Sequence, residues 1–313
     1  MSDEAITISN LEYDYPGQWI FDRRPVLRSF SMTVKRGESF GFLGHNGAGK
    51  TTTIKTILNV NRVRKGTIHI FGIPHTDRAA RAQIGYLPEQ PYFYDHLTVE
   101  EMLEMYGLLS GIPHSLIQER IAWALDAVRL SKRSTERLRS LSKGLVQRAG
   151  MAQAIIAQPK LLILDEPFSG LDPLGRKDFR ELLSDLKARG TTIFMSSHIL
   201  SDVEFLCDRV SIMSKGVLKG VFAVKEIPSM SAANFEIVCE DSDRLREFIA
   251  TRALEVGINN GRATVMIKSR DNAEQLLKEM LEHKVRVDSF NTVQNSLEDV
   301  FVRLVTFDES ARS

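Results

Sequence analysis

The chain has 313 residues, 43% hydrophobic and 26% charged, the composition of a globular protein with a core to bury and room for two domains. Its 41 basic and 40 acidic residues leave a formal net charge of +1, which gives no bulk pull towards nucleic acid or an anionic membrane. No apolar run approaches the roughly 20 residues of a membrane helix, and Met1-Ser2-Asp3-Glu4 lacks the basic-then-apolar order of a signal peptide.

In chain order, Ile6 to Ser9 and Val26 to Val34 alternate apolar and polar side chains and predict antiparallel strands. The connection from Pro16 to Pro25 is long for a hairpin; its Trp19 and Phe21 either cap the core, the favoured reading, or meet a partner. Ser39-Phe40-Gly41-Phe42-Leu43 predicts a buried strand and Thr53 to Leu58 the first turns of a helix. Between them, Gly44-His45-Asn46-Gly47-Ala48-Gly49-Lys50-Thr51-Thr52 fits the P-loop pattern. Its glycines permit tight turns and close approach of N–H groups to phosphate, and the helix N-terminus adds its positive end. In such loops the lysine, here Lys50, reaches the β- and γ-phosphates, and the hydroxyl of Thr51 serves Mg²⁺, with Thr52 near the α-phosphate. A nucleotide site is predicted, but not its reaction, since many enzymes share the loop.

Gly66 to Gly72 and Ile84 to Pro88 predict two further short strands. From Leu97 to about Gln158 the pattern is helical, entered by the capping box Thr98-Val99-Glu100-Glu101 and stopped by Pro159. Within it Ser142 and Gly144 stand at the head of a helix that can bind an anion. Leu161-Leu162-Ile163-Leu164-Asp165-Glu166 predicts a buried parallel strand with two acids at its C-terminal end, where a doubly wound sheet keeps its site. Asp165 is the candidate for Mg²⁺ and Glu166 the candidate base for an attacking water; the alternative is a helix-capping pair. A helix over 175–189 leads to strand Thr191 to Ser197, ending at His198, a candidate for the γ-phosphate. Helix 201–207 and strands 210–213 and 217–221 complete the first domain, 1–224. Cys207 and Cys239, isolated and without metal-ligand spacing, are expected as buried free thiols.

Residues 225–234 read as a linker. Strand 235–238, helix 243–252, a hairpin turned on Asn259-Asn260-Gly261, helix 271–283 and strand 285–290 follow, a ferredoxin-like βαββαβ order. Ser296-Leu297-Glu298-Asp299 caps a last helix, closing a second domain over 235–307.

Taken together, Gly44 to Thr52, Leu141 to Gln147, Asp165-Glu166, Leu171-Asp172 and His198 occur in the order of the ATP-binding-cassette ATPases, which residues 5–222 resemble. The resemblance implies a RecA-like α/β P-loop core with an antiparallel β subdomain and a helical signature subdomain over about 97–158, and a small α+β domain behind it. It implies ATP with Mg²⁺, Glu166 as general base, His198 as switch histidine, Ser142 and Gly144 as signature contacts and Asp172 in the D-loop. Tyr15 falls where the family stacks a ring on adenine, with Tyr13 as its neighbour. The signature departs from the family at Lys143 and Leu145, and at the Q-loop Glu89 stands at the motif position with Gln90 one step on, so either is the candidate near Mg²⁺. These departures, with Tyr-Leu-Pro-Glu and the C-terminal ending, are similar to the ABC-2-type exporter branch. That resemblance implies a head-to-tail homodimer around two ATP at the cytoplasmic face of the membrane, driving separate permease subunits. The surface from Glu89 to His96, with Pro91, Tyr92, Phe93 and Tyr94, is either a docking patch for those subunits or part of the core. The C-terminal domain is read as a dimer clamp or regulator, or as a stabiliser of the first domain. A GTPase is disfavoured because no Asn-Lys-x-Asp guanine reader occurs. A soluble remodelling ATPase is disfavoured because such chains carry two cassettes or long heptad arms.

Overall fold

The structure, a computed structural model, describes residues 3–16, 23–229, 234–250, 256–259, 261–267, 269–293 and 297–310. It divides into two compact units, Met1–Val224 and Lys225–Ser313.

The first unit runs β1 (Glu4–Pro16), β2 (Arg23–Lys35), β3 (Ser39–Leu43), α1 (Lys50–Ile57), β4 (Lys65–Ile70), β5 (Ile73–Pro74), α2 (Arg78–Arg81) and β6 (Ile84–Leu87). It continues with α3 (Val99–Leu109), α4 (His114–Ala127), α5 (Lys143–Ile155), β7 (Leu161–Asp165), α6 (Pro173–Ala188), β8 (Thr192–Ser197), α7 (Leu200–Leu206), β9 (Arg209–Ser214) and β10 (Val217–Ala223). One sheet has the order β2-β1-β4-β5 and is antiparallel. The other has the order β10-β9-β3-β8-β7-β6; all its pairs are parallel except β10 with β9. Every residue of β3, β7 and β8 is buried, as expected where helices cover both faces of a parallel sheet. Phe194 stacks on Phe40 at 6.0 Å and tilts against Phe42 at 5.4 Å, tying β8 to β3 at the centre.

The helical stretch is three helices. Thr98 and Glu101 form the capping box of α3, with Thr98 N to Glu101 Oε2 at 2.8 Å and Glu101 N to Thr98 Oγ1 at 3.2 Å. Two 3₁₀ turns, Ser131–Arg133 and Leu138–Ser140, deliver the chain to α5. Arg148 fastens α5 to α6: it pairs with Asp178 at 2.9 Å and donates to the Val128 carbonyl at 3.1 Å. The first two strands are longer than the alternation predicted, and Trp19 and Phe21 lie outside the described residues.

The first part of the expected linker is a 3₁₀ helix, Val224–Ser229. The second unit then runs β11 (Asn234–Glu240), α8 (Asp243–Ala250), β12 (Val256–Asn259), β13 (Arg262–Ile267), α9 (Arg270–Glu282), β14 (Val287–Val293) and α10 (Leu297–Ser310). Its antiparallel sheet has the order β12-β13-β11-β14, the ferredoxin-like arrangement. Ile237, Ala263 and Val265 of the sheet pack with Leu245, Phe248 and Met280 of the helices. Gly261 turns the hairpin at φ +75°; Asn260 and Ser296, the expected cap of the last helix, lie outside the described residues.

Candidate active site

The C-terminal ends of β3, β7 and β8 meet the P-loop at a cavity of about 370 Å³, within the range of small-molecule sites. Its P-loop wall is His45, Asn46, Gly47, Gly49, Lys50, Thr51 and Thr52. Tyr15 and Val26 come from the antiparallel sheet, and Glu89, Glu166 and His198 close the opposite side.

The glycines serve different ends. Gly47 and Gly49 adopt φ +81° and +110°, the left-handed region that side chains resist. Gly44 does not turn that way; a Cβ there would sit 2.6 Å from the Met213 carbonyl oxygen and 2.9 Å from Ala48 Cβ. It lets the loop lie against β9, so the expectation of a phosphate turn at Gly44 is corrected to one of close packing, and Gly44 and Ala48 lie outside the cavity lining. His45 Nδ1 lies 2.7 Å from the Asn46 carbonyl oxygen.

Lys50, at the start of α1, is buried and donates to the Gly44 carbonyl at 2.7 Å. Its Nζ also lies 3.4 Å from Glu166 Oε1. The other carboxylate oxygen of Glu166 faces His198, with Nδ1 at 2.8 Å and the backbone N–H donor at 3.3 Å. Glu166 itself has φ +50°, which turns it out of the strand line while Asp165 stays in it. Asp165 is buried, and Ser196 Oγ donates to its Oδ1 at 2.6 Å. Burial pushes the Asp165 pKa up, while hydrogen bonds from Ser196 and Thr51 hold it down. The hydroxyl–carboxylate pair Thr51–Asp165 is a donor set suited to Mg²⁺, a hard cation that takes few protein oxygens and otherwise phosphate and water. The capping alternative for Asp165 and Glu166 fails, because α6 is capped by Asp172, whose Oδ1 accepts from Gly175 N at 2.8 Å.

The two pairs left open in the sequence separate here. Tyr15 lines the cavity and its hydroxyl lies 3.3 Å from Thr52 Oγ1, whereas Tyr13 is buried in the core. Glu89 lines the cavity, whereas Gln90 does not and accepts from the Tyr92 hydroxyl at 3.1 Å. Beyond it Tyr92 and Tyr94 are exposed, and Phe93 packs edge-on to Tyr106 with ring centres 6.0 Å apart.

Ser142, Gly144 and Asp172 are not in the cavity lining. Ser142 is the exposed N-cap residue of α5, yet its side chain makes no capping hydrogen bond. Lys143, Gly144 and Gln147 pack on the 167–170 loop of their own chain. Gly144 leaves room beside the Gly170 carbonyl, Lys143 lays its aliphatic stem across Gly170, and Gln147 Nε2 donates to the Pro167 carbonyl at 3.2 Å. Two residues of the site carry no signal of it in the sequence. Val26 is a wall residue, marked only by its strand alternation, and Ser196, outside the lining, sits behind Asp165. A second cavity, of about 300 Å³, has Trp123, Ile155, Leu162 and Leu186 in its wall and gathers none of the candidate residues.

The comparisons with known proteins agree in kind. Residues 27–169 match the ABC transporter family and residues 226–305 the C-terminal domain of DrrA1-3-like ATP-binding proteins. An uncharacterized ABC transporter ATP-binding protein of a Synechocystis species is 39% identical, over 92% of this chain and 80% of its own length. The bacitracin transport ATP-binding protein BcrA of Enterococcus faecalis is 32% identical, over 90% of this chain and 91% of its own. A solved ATP-binding subunit of an ABC transporter superposes with a TM-score of 0.65 at 33% identity, over 72% of this chain and 92% of its own.

Proposed function

The chain belongs to the ATP-binding-cassette transporter ATPases, ABC-2-type branch, and from that premise we propose that two copies close head to tail around two ATP and drive separate membrane-spanning subunits in export. It is an ATP-binding ATPase of a transporter. The observation that carries the head-to-tail reading is Ser142. A serine at a helix head that caps nothing, outside the cavity of its own P-loop, has an anion-binding N-terminus to offer. A second copy supplies the phosphate, in a C₂ pair.

Within each site Lys50 neutralises the β- and γ-phosphates, for which it leaves Glu166 and the Gly44 carbonyl. Glu166 accepts the proton of the attacking water, oriented by His198. Tyr15 stacks on adenine. Thr51 and Asp165 would hold Mg²⁺, with Glu89 beside them; when bound, the ion neutralises charge on the phosphates. Exposed Tyr92 and Tyr94 form the docking patch for the membrane subunits. Among the described residues no helix is long and apolar enough to cross a membrane; in the proposed assembly the pore belongs to separate chains, which this one meets at the cytoplasmic face.

The test has two parts. In the Glu166→Gln background, ATP should shift the protein from monomer to dimer in light scattering, and adding Ser142→Arg should return it to monomer. Dimerisation that survives Ser142→Arg would overturn the sandwich. Affinity purification from detergent-solubilised native membranes should recover a polytopic membrane protein in stoichiometric amount. Recovery with ribosomes or other soluble partners alone would overturn the transport coupling.

A further inference from the structure

We propose that Ser196 is a positioning residue for hydrolysis, its hydroxyl holding the Asp165 carboxylate and the Glu166 backbone in a single register. The proposal rests on the roles given above to Asp165 and Glu166.

In the parallel pairing of β7 with β8, Asp165 stands directly opposite Ser196. Ser196 is fully buried, and its Oγ donates to Asp165 Oδ1 at 2.6 Å while accepting from Glu166 N at 3.0 Å. A hydroxyl has one proton to donate, and here it goes to Asp165. The neighbouring Ser197 closes on its own turn instead, accepting from Ile199 N at 2.9 Å.

What the hydroxyl grips is a pivot. Left-handed backbone is disfavoured for a residue with a side chain, and Glu166 carries it at φ +50°. Without Ser196 Oγ its N–H keeps only the Ser196 carbonyl, at 3.3 Å. The tip of β8 therefore holds Glu166 at both ends, the N–H through Ser196 and the carboxylate through His198 at 2.8 Å. Partners one step behind a metal ligand orient it, and their removal costs about 10–100-fold in metal affinity or activity.

The experiment compares Ser196→Ala, Ser196→Thr and Glu166→Gln with wild type. It measures ATPase kinetics, fluorescent ATP-analogue binding in EDTA and along a Mg²⁺ titration, and thermal melting. Ser196→Ala should lose kcat by about 10–100-fold with KM for ATP little changed. It should bind the analogue normally in EDTA and need about tenfold more Mg²⁺ for the metal-dependent tightening. Ser196→Thr, which keeps the hydroxyl, should recover most of both. Wild-type kcat and Mg²⁺ response in Ser196→Ala would overturn the proposal. So would equal impairment of the Ala and Thr variants, which would assign the effect to side-chain volume. Should Ser196→Ala fail to fold, Ser196→Cys, a weaker hydrogen-bonding group of similar shape, carries the same comparison. If Glu166→Gln turns over normally the base assignment falls; if Glu166→Gln is inactive while Ser196→Ala is normal, the positioning role alone falls.

Discussion

Glu166→Gln removes a charge and keeps a shape, so its consequences can be worked from the contacts of one carboxylate. That carboxylate takes His198 Nδ1 at 2.8 Å and lies 3.4 Å from Lys50 Nζ, with side-chain exposures of 10% for Glu166 and 6% for Lys50. As the base for water it is worth about 10²–10⁴-fold in rate, and turnover should fall by that factor. The nucleotide-free protein should also lose stability. Lys50 keeps the Gly44 carbonyl at 2.7 Å, so the loss is that of a charge-assisted hydrogen bond, about 1.5–3 kcal/mol. For a domain of this size that corresponds to a melting shift of roughly 3–12 °C. ATP should cancel the shift, because the γ-phosphate takes Lys50 in place of the carboxylate. Phosphate release and calorimetry, with and without ATP, measure both effects. Normal turnover would remove the base assignment, and a stability loss that ATP leaves unchanged would refute the account of Lys50.

The two tyrosines should separate binding from folding. Tyr15→Ala forfeits a stacking contact of about 0.5–1.5 kcal/mol, roughly 2- to 12-fold in nucleotide affinity by fluorescence titration, with little change in melting. Tyr13→Ala, in the core, should lower stability by about 3–5 kcal/mol; the reverse pattern would exchange their roles. Burial pushes the Cys207 thiol up, and only thiolate reacts readily, so a thiol reagent at pH 8 should label it only after unfolding. Because its folded pKa is raised, the stability associated with it is intact below the unfolded value of about 8.5 and lost as pH rises past it. Melting from pH 7 to 10 should therefore decline more steeply in wild type than in Cys207→Ala. Labelling of the folded protein would refute this.

The parts legible in the sequence are those with a strong local signal. Strands β3, β7 and β8 read as apolar runs because both faces of their sheet are covered. The P-loop has a fixed spacing, and the second unit alternates helical and strand periods clearly enough to give its topology. Strand β1 is legible only to Ser9, since its pairing slips between Ile8 and Leu11 and again before Tyr13, and a bulge breaks the alternation that reveals a strand. Helix α2, with 4 residues, is too short to leave a period. Gly44 has the sequence context of a turn residue and is a close-approach residue; both uses demand glycine. Glu89 and Gln90 are neighbours with similar side chains, and only the path of the backbone decides which faces the cavity.

Ser196 was illegible for a related reason. A serine in an apolar strand is an interruption of a pattern, and its partner becomes visible only when parallel pairing sets it against Asp165. That register explains how two adjacent acids serve two purposes. Were both extended, they would alternate across the sheet, with Glu166 directed away from Asp165. The left-handed backbone at Glu166 instead carries its carboxylate to Lys50 and His198, while Asp165 remains at Thr51. In the proposed mechanism the division of labour between the acids is thus set by one strained residue and the strand beside it, which supplies Ser196 to fix the backbone and His198 to fix the carboxylate.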